Sequence, residues 1–95
     1  MHNEKSVKAA VKRRLQKYGA WYTMPNQAGF SQRGVPDILA CYEGTFIAIE
    51  CKFGKNKTTP LQDQQIGAIT KAKGIVLVIN ENNLNLVEQV LEEVT

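Results

Sequence analysis

Apolar residues recur at Val7, Val11, Leu15 and Tyr18, the spacing of one helical face, and predict a helix from Asn3 to Tyr18 that Gly19 ends. Its other faces carry Lys5, Lys8, Lys12, Arg13, Arg14 and Lys17. Glu4 breaks this division, because it precedes Val7 and Val11 by three and seven residues and so points along the apolar stripe. An acid at a helix N-terminus is also favoured by the helix dipole, and that local reason alone accounts for it. Beyond Gly19 the period changes. Ala20–Met24 is aromatic and β-rich and predicts a strand ending at Pro25, and the polar, glycine-bearing stretch from Asn26 to Gly34 predicts a loop.

Two further strands, Ile38–Tyr42 and Thr45–Phe53, flank Glu43-Gly44, a two-residue hairpin signal. A polar loop bearing Lys55 and Lys57 leads to a helix over Thr59–Lys73, with Thr59 as cap, Pro60 in the first helical position and Gly74 as stop. Ile75–Ile79 is continuously apolar, the type of strand buried on both faces. Asn82–Val94 predicts a closing helix with Leu84, Val87, Leu91 and Val94 inward. The order is therefore α-β-β-β-α-β-α in an α/β fold.

Length confines this to one domain over residues 1–95, with material for a single small core. At 43% apolar and 22% charged, the chain is neither disordered nor a coiled coil. Ile75–Ile79 falls far short of the roughly 20 apolar residues of a membrane helix. The N-terminal charges have no apolar run behind them, so no secretory signal is read. The expected location is the cytoplasm, of a bacterial cell or of a host cell if a virus encodes the protein. Cys41 and Cys51 lack disulfide or metal spacing and read as reduced core residues. Trp21 and the tyrosines also read as core, although an exposed aromatic could stack on an unpaired base. His2, close to the terminus, reads as incidental.

Charge is unevenly placed. All twelve basic residues lie within residues 1–80 beside five acids, a balance of +7, whereas residues 81–95 hold four acids and no base. Such a distribution suits a polyanion such as nucleic acid, and equally a solubilising surface.

Two acids stand where a purely structural strand rarely puts them. Asp37 follows Pro36 at the start of an apolar strand, and Glu50 lies inside another, with Lys52 two residues on. Strand alternation places Phe46, Ala48, Glu50 and Lys52 on one side, a face that begins apolar and ends charged. If the two strands pair, the carboxylates of Asp37 and Glu50 converge, and a divalent cation best relieves their repulsion. Magnesium, an oxygen-binding ion held by one or two carboxylates plus substrate phosphate, fits that pair. Lys52 could then position a water or neutralise a phosphorane-like transition state. Taken alone, Glu50-x-Lys52 reads as a surface salt bridge; with Pro36-Asp37 upstream and a hairpin between, it becomes a far more specific signal.

Pro36-Asp37 followed by Glu50-Cys51-Lys52 resembles the motif of the PD-(D/E)xK nuclease superfamily. Arg33-Gly34-Val35-Pro36-Asp37, with Asn26 and Gly29 before it, is similar to the VRR-Nuc subgroup, as is Thr59-Pro60-Leu61-Gln62 at the start of the next helix. The resemblance runs from the first helix to about Ile79. It implies a restriction-endonuclease-like core, a mixed central sheet flanked by helices. Asp37 and Glu50 would be metal ligands, with the backbone carbonyl of Cys51 and the first-helix acid Glu4 as further ones. Lys52 would be the catalytic lysine, and Gln62 would approach it, with Gln64 and Gln65 read as helix surface. Ser31 and Arg33 before Asp37, and Lys55 and Lys57 after Lys52, are placed to contact phosphates. The implied activity is a Mg2+-dependent DNA endonuclease, with Mn2+ able to substitute, structure-specific on branched DNA such as four-way junctions and working as a homodimer. Nicking, flap and restriction-type nucleases, and an inactive DNA-binding module, remain alternatives at this stage.

Overall fold

A computed structural model of the protein describes residues 2–25 and 33–95. The first apolar stripe forms helix α1, Glu4–Tyr18, started by Asn3, whose side-chain oxygen accepts the Ser6 N–H at 2.8 Å. After α1 come strands β1 (Trp21–Thr23), β2 (Ile38–Tyr42) and β3 (Thr45–Cys51). Helix α2 (Pro60–Lys71), strand β4 (Ile75–Ile79) and helix α3 (Asn85–Glu93) complete the chain. The order is the expected α-β-β-β-α-β-α.

The sheet order is β1-β2-β3-β4. β2 and β3 pair as an antiparallel hairpin, with Tyr42 opposite Thr45. Its turn has Glu43 at φ 51° and Gly44 at φ 77°, and two left-handed residues are what a two-residue hairpin matched to strand twist requires. β4 instead runs parallel to β3, from Ile47 opposite Ile75 to Cys51 opposite Ile79. Parallel neighbours need a long crossover, and α2 supplies it. The sheet is thus mixed.

Alternation gives the sheet two unlike faces. Ile38, Ala40, Ile47, Ile49, Cys51 and Ile79 share one buried cluster with Val7, Val11 and Leu15 of α1 and Val87 and Leu91 of α3. The opposite face carries Phe46, Ala48 and Glu50, and α2 lies against β4 without burying any residue of its own. Several expectations change here. β4 is not buried on both faces, since Val78 is 42% exposed. Cys41 is exposed rather than a core residue, while Cys51 is buried. Trp21 is 63% exposed. Val94 is only half-buried and caps α3 rather than facing inward. β1 is shorter than expected, and β3 stops at Cys51 instead of Phe53. Among the described residues no helix is long and apolar enough to cross a membrane.

Candidate active site

The β2–β3 pairing sets the site. Ile38 lies opposite Ile49, so one step along the antiparallel register brings Asp37 opposite Glu50, on the same face. Pro36, fully buried, anchors the chain just before Asp37. Asp37 Oδ2 accepts the backbone N–H of Cys51 at 2.9 Å, which fixes the carboxylate at the end of the sheet. Glu50 is almost fully buried. Burial first, then the negative charge of Asp37 and a hydrogen bond with it, push Glu50 from 4.5 up to about 7, against the opposing pull of Lys52. The Lys52 ammonium stands 3.6 Å from Glu50 Oε2 and is itself nearly buried, as strand alternation requires.

Gln62 closes the site from above. Thr59 and Gln62 form a reciprocal helix cap: Thr59 Oγ1 accepts the Gln62 N–H, and Gln62 Oε1 accepts the Thr59 N–H at 2.9 Å. With its oxygen so engaged, the Gln62 amide nitrogen is turned to Glu50 Oε2, to which it donates at 3.0 Å. The Thr-x-x-Gln sequence therefore starts α2 and orients Glu50 with one side chain. Gln65 donates instead to the Arg33 carbonyl at 3.2 Å, and Gln64 lies exposed on α2.

Gly34 explains the glycine of the loop. It has φ 79°, and a methyl group there would collide with the Leu61 carbonyl and come within 2.8 Å of the Gln62 nitrogen. The loop backbone thus packs directly on the first turn of α2. Gly34→Ala should lower stability by about 2 kcal/mol, a fall in Tm on the order of 10 °C, and displace Gln62 from Glu50. Calorimetry and a cleavage assay on the same preparation check this; an unchanged Tm would contradict the packing.

Sequence reasoning missed one contact at the site. Lys8, one turn after Glu4, reaches Asp37 Oδ1 at 3.5 Å. Lys8 flanks the Val7–Val11 stripe at its edge and is only half-buried, which gave no local sign of Asp37. Glu4 lies half-buried in the first turn of α1, and its charge helps to raise the Cys51 thiol. That thiol is pushed up to about 12, chiefly by burial, then by Asp37 and Glu50. Glu4 does not join Asp37 and Glu50 in a cluster: among the described residues no three His, Cys, Asp or Glu side chains are grouped to hold a metal.

The expected phosphate contacts divide. Arg33 is exposed before Asp37, and Lys55 and Lys57 are exposed beyond β3. The Gly54 N–H, next to Lys55, is held by Glu81 at 3.0 Å. Ser31, with Asn26 and Gly29, lies outside the described residues. Part of the cationic face of α1 is committed elsewhere, because Arg14 and Lys17 both pair with Glu88 of α3, at 3.0 and 3.8 Å. The acidic closing helix thus neutralises that side of α1.

As chemistry, two converging carboxylates with a buried ammonium beside them form an oxygen-donor site suited to a hard divalent cation. Burial first, and then the charge of Asp37, disfavour ionised Glu50, a cost that a bound cation would offset. A family model described as archaeal Holliday junction resolvase (Hjc) matches residues 5–79. The match spans α1 to β4 and includes Asp37, Glu50, Lys52 and Gln62, while Glu4 and α3 fall outside it. The α-β-β-β-α-β-α order and four-stranded mixed sheet are consistent with a restriction-endonuclease-like fold. No curated protein matches the chain.

Proposed function

Because the chain belongs to the archaeal Holliday junction resolvase family, nucleases that hydrolyse DNA, we propose that it is a Mg2+-dependent endonuclease that prefers branched DNA such as four-way junctions. The observation that carries this reading is the placement of Asp37 opposite Glu50 with the Lys52 ammonium 3.6 Å from Glu50. Within the superfamily, the Gly34–Leu61 packing and the Thr59–Gln62 cap favour the VRR-Nuc subgroup, since they give its sequence pattern a physical reason.

Asp37 and Glu50 would hold the ion, with the Cys51 backbone carbonyl as an additional donor and Mn2+ as a substitute. When bound, the ion supplies charge neutralisation at the phosphate and lowers the pKa of a water. The protein's own groups do the rest. Gln62 and the Cys51 N–H hold the two carboxylates in place. Lys52 aligns the attacking water or neutralises charge developing on the phosphate oxygens. The test is a side-by-side digest of four-way junction, flap, single-stranded and linear duplex DNA in Mg2+ and Mn2+. Preferential cutting of the junction supports the proposal, and equal cutting of linear duplex contradicts the branched-DNA preference.

Arg33, Lys55 and Lys57 are the proposed phosphate contacts, and Ser31, which lies outside the described residues, is a further candidate. Replacing Lys55 and Lys57 together should flatten the log–log salt dependence of DNA binding by up to about two units, because each lost contact releases fewer counterions. Titrations from low to high salt check it; an unchanged slope would leave both lysines in solvent.

A small domain with one such site makes paired cuts in a junction as a homodimer. Val87 and Leu91 of α3, and Leu84 just before it, are consumed by the chain's own core. β1, at one edge of the sheet, leaves Trp21 and Met24 exposed, with exposed Cys41 and Phe46 following Trp21 in one cross-strand row. The β1 side is therefore the proposed interface. Sedimentation at micromolar concentration should report about twice 10.6 kDa, and Trp21→Lys should shift it toward monomer. A wild-type mass of 10.6 kDa throughout would contradict the dimer.

A further inference from the structure

Each of the two central carboxylates faces its own ammonium, and only one of these is explained by the nuclease motif. Glu50 has Lys52, two residues along the same strand. Asp37 has Lys8, delivered from α1 at 3.5 Å. Oδ2 of Asp37 accepts the Cys51 N–H, while Oδ1 faces Lys8, so a cation held by this carboxylate would compete with the ammonium for its charge. The two lysines differ in freedom. The Lys52 side chain is 11% exposed and enclosed, whereas that of Lys8 is 34% exposed and has solvent into which its flexible stem can turn. Its backbone is nevertheless fixed, because Val7 and Val11 on either side are fully buried.

We infer that Lys8 is a metal-released phosphate contact. In the metal-free protein its ammonium neutralises Asp37. Once a divalent cation is held at Asp37, like-charge repulsion turns Lys8 outward, where it binds a DNA phosphate beside the site. Metal and DNA then strengthen each other's binding, reciprocally, through this one side chain. The inference rests on the proposed metal site at Asp37 and Glu50 and adds to it a residue with two successive partners.

The test reads binding rather than cleavage. The salt dependence of four-way-junction binding is measured for wild type, Lys8→Gln and Lys8→Arg, in EDTA and in Ca2+. In EDTA the wild-type and Lys8→Gln slopes should coincide, since Lys8 is tied to Asp37. In Ca2+ the Lys8→Gln slope should be smaller by about one unit, and Lys8→Arg should restore it. Asp37→Asn frees Lys8 without any metal, so its slope in EDTA should rise by about one unit and fall back in the Asp37→Asn, Lys8→Gln double variant. A Mn2+ titration without DNA should find binding on the order of 3- to 10-fold tighter in Lys8→Gln, through loss of a neighbouring like charge. Equal slopes in Ca2+, or the same loss in EDTA, would overturn the role of Lys8. If Asp37→Asn binds Mn2+ as well as wild type does, the metal site itself is wrong and the inference falls with it. If Mn2+ binding needs Asp37 but ignores Lys8, the inference alone fails.

Discussion

Lys52→Ala and Asp37→Asn should each lower the single-turnover cleavage rate by about 10²- to 10³-fold, the loss typical of removing one preorganised charge from an enclosed site. Lys52 is 9% exposed, and its ammonium lies beside the buried Glu50, so no water-exposed lysine can take its place. Asp37 is fixed by the Cys51 N–H, and asparagine keeps an oxygen for that bond while removing the charge. DNA affinity should therefore survive in both variants, and Asp37→Asn should bind DNA more tightly, because a carboxylate that repels phosphate is gone. Circular dichroism and a binding assay separate this from misfolding. Cleavage within a few-fold of wild type in either variant would exclude that residue from the chemistry.

Glu50→Gln should abolish cleavage and yet stabilise the metal-free protein at alkaline pH. Glu50 is raised from 4.5 to about 7 in the fold, chiefly by burial and next by Asp37. Between those two values the folded chain holds a proton that the unfolded chain has released. The group's contribution to stability is therefore greatest below about pH 4.5, falls as pH rises toward 7, and stays low above it. The full swing is on the order of 3 kcal/mol. Glutamine keeps an acceptor for Gln62 but loses the attraction of Lys52, so the net gain at pH 8 should be about 1–2 kcal/mol, vanishing near pH 5. Magnesium should give the wild type a comparable gain at pH 8, by neutralising the same pair. Thermal melts in EDTA from pH 5 to 8 report this directly. A Glu50→Gln protein no more stable than wild type at pH 8 would mean that Glu50 carries no such burden.

The element order was legible because each element announces itself locally: a helical stripe at Val7, Val11 and Leu15, a hairpin pair at Glu43-Gly44, a cap at Thr59. The pairing of Asp37 with Glu50 followed from alternation and a short hairpin, whereas Gln62 was placed at the site only by the resemblance of Thr59-Pro60-Leu61-Gln62 to the family pattern. What stayed hidden depends on contacts distant in sequence. Nothing near Lys8 announces Asp37, which lies far along the chain, and Gly34 gives no local sign that its backbone must approach Leu61. Continuous apolarity in Ile75–Ile79 suggested burial on both faces, but α2 covers that side too thinly to enclose Val78. Trp21 was misplaced for a related reason: β1 is an edge strand of three residues, with no helix over its outer face.

The most direct test of the central claim is cleavage of an end-labelled four-way junction by the purified chain, run in Mg2+, in EDTA, and with Glu50→Gln in Mg2+. Paired cuts near the branch point with wild type in Mg2+, and none in the other two reactions, are the predicted result. Undiminished cutting in EDTA, or by Glu50→Gln, would contradict a metal site built on Asp37 and Glu50.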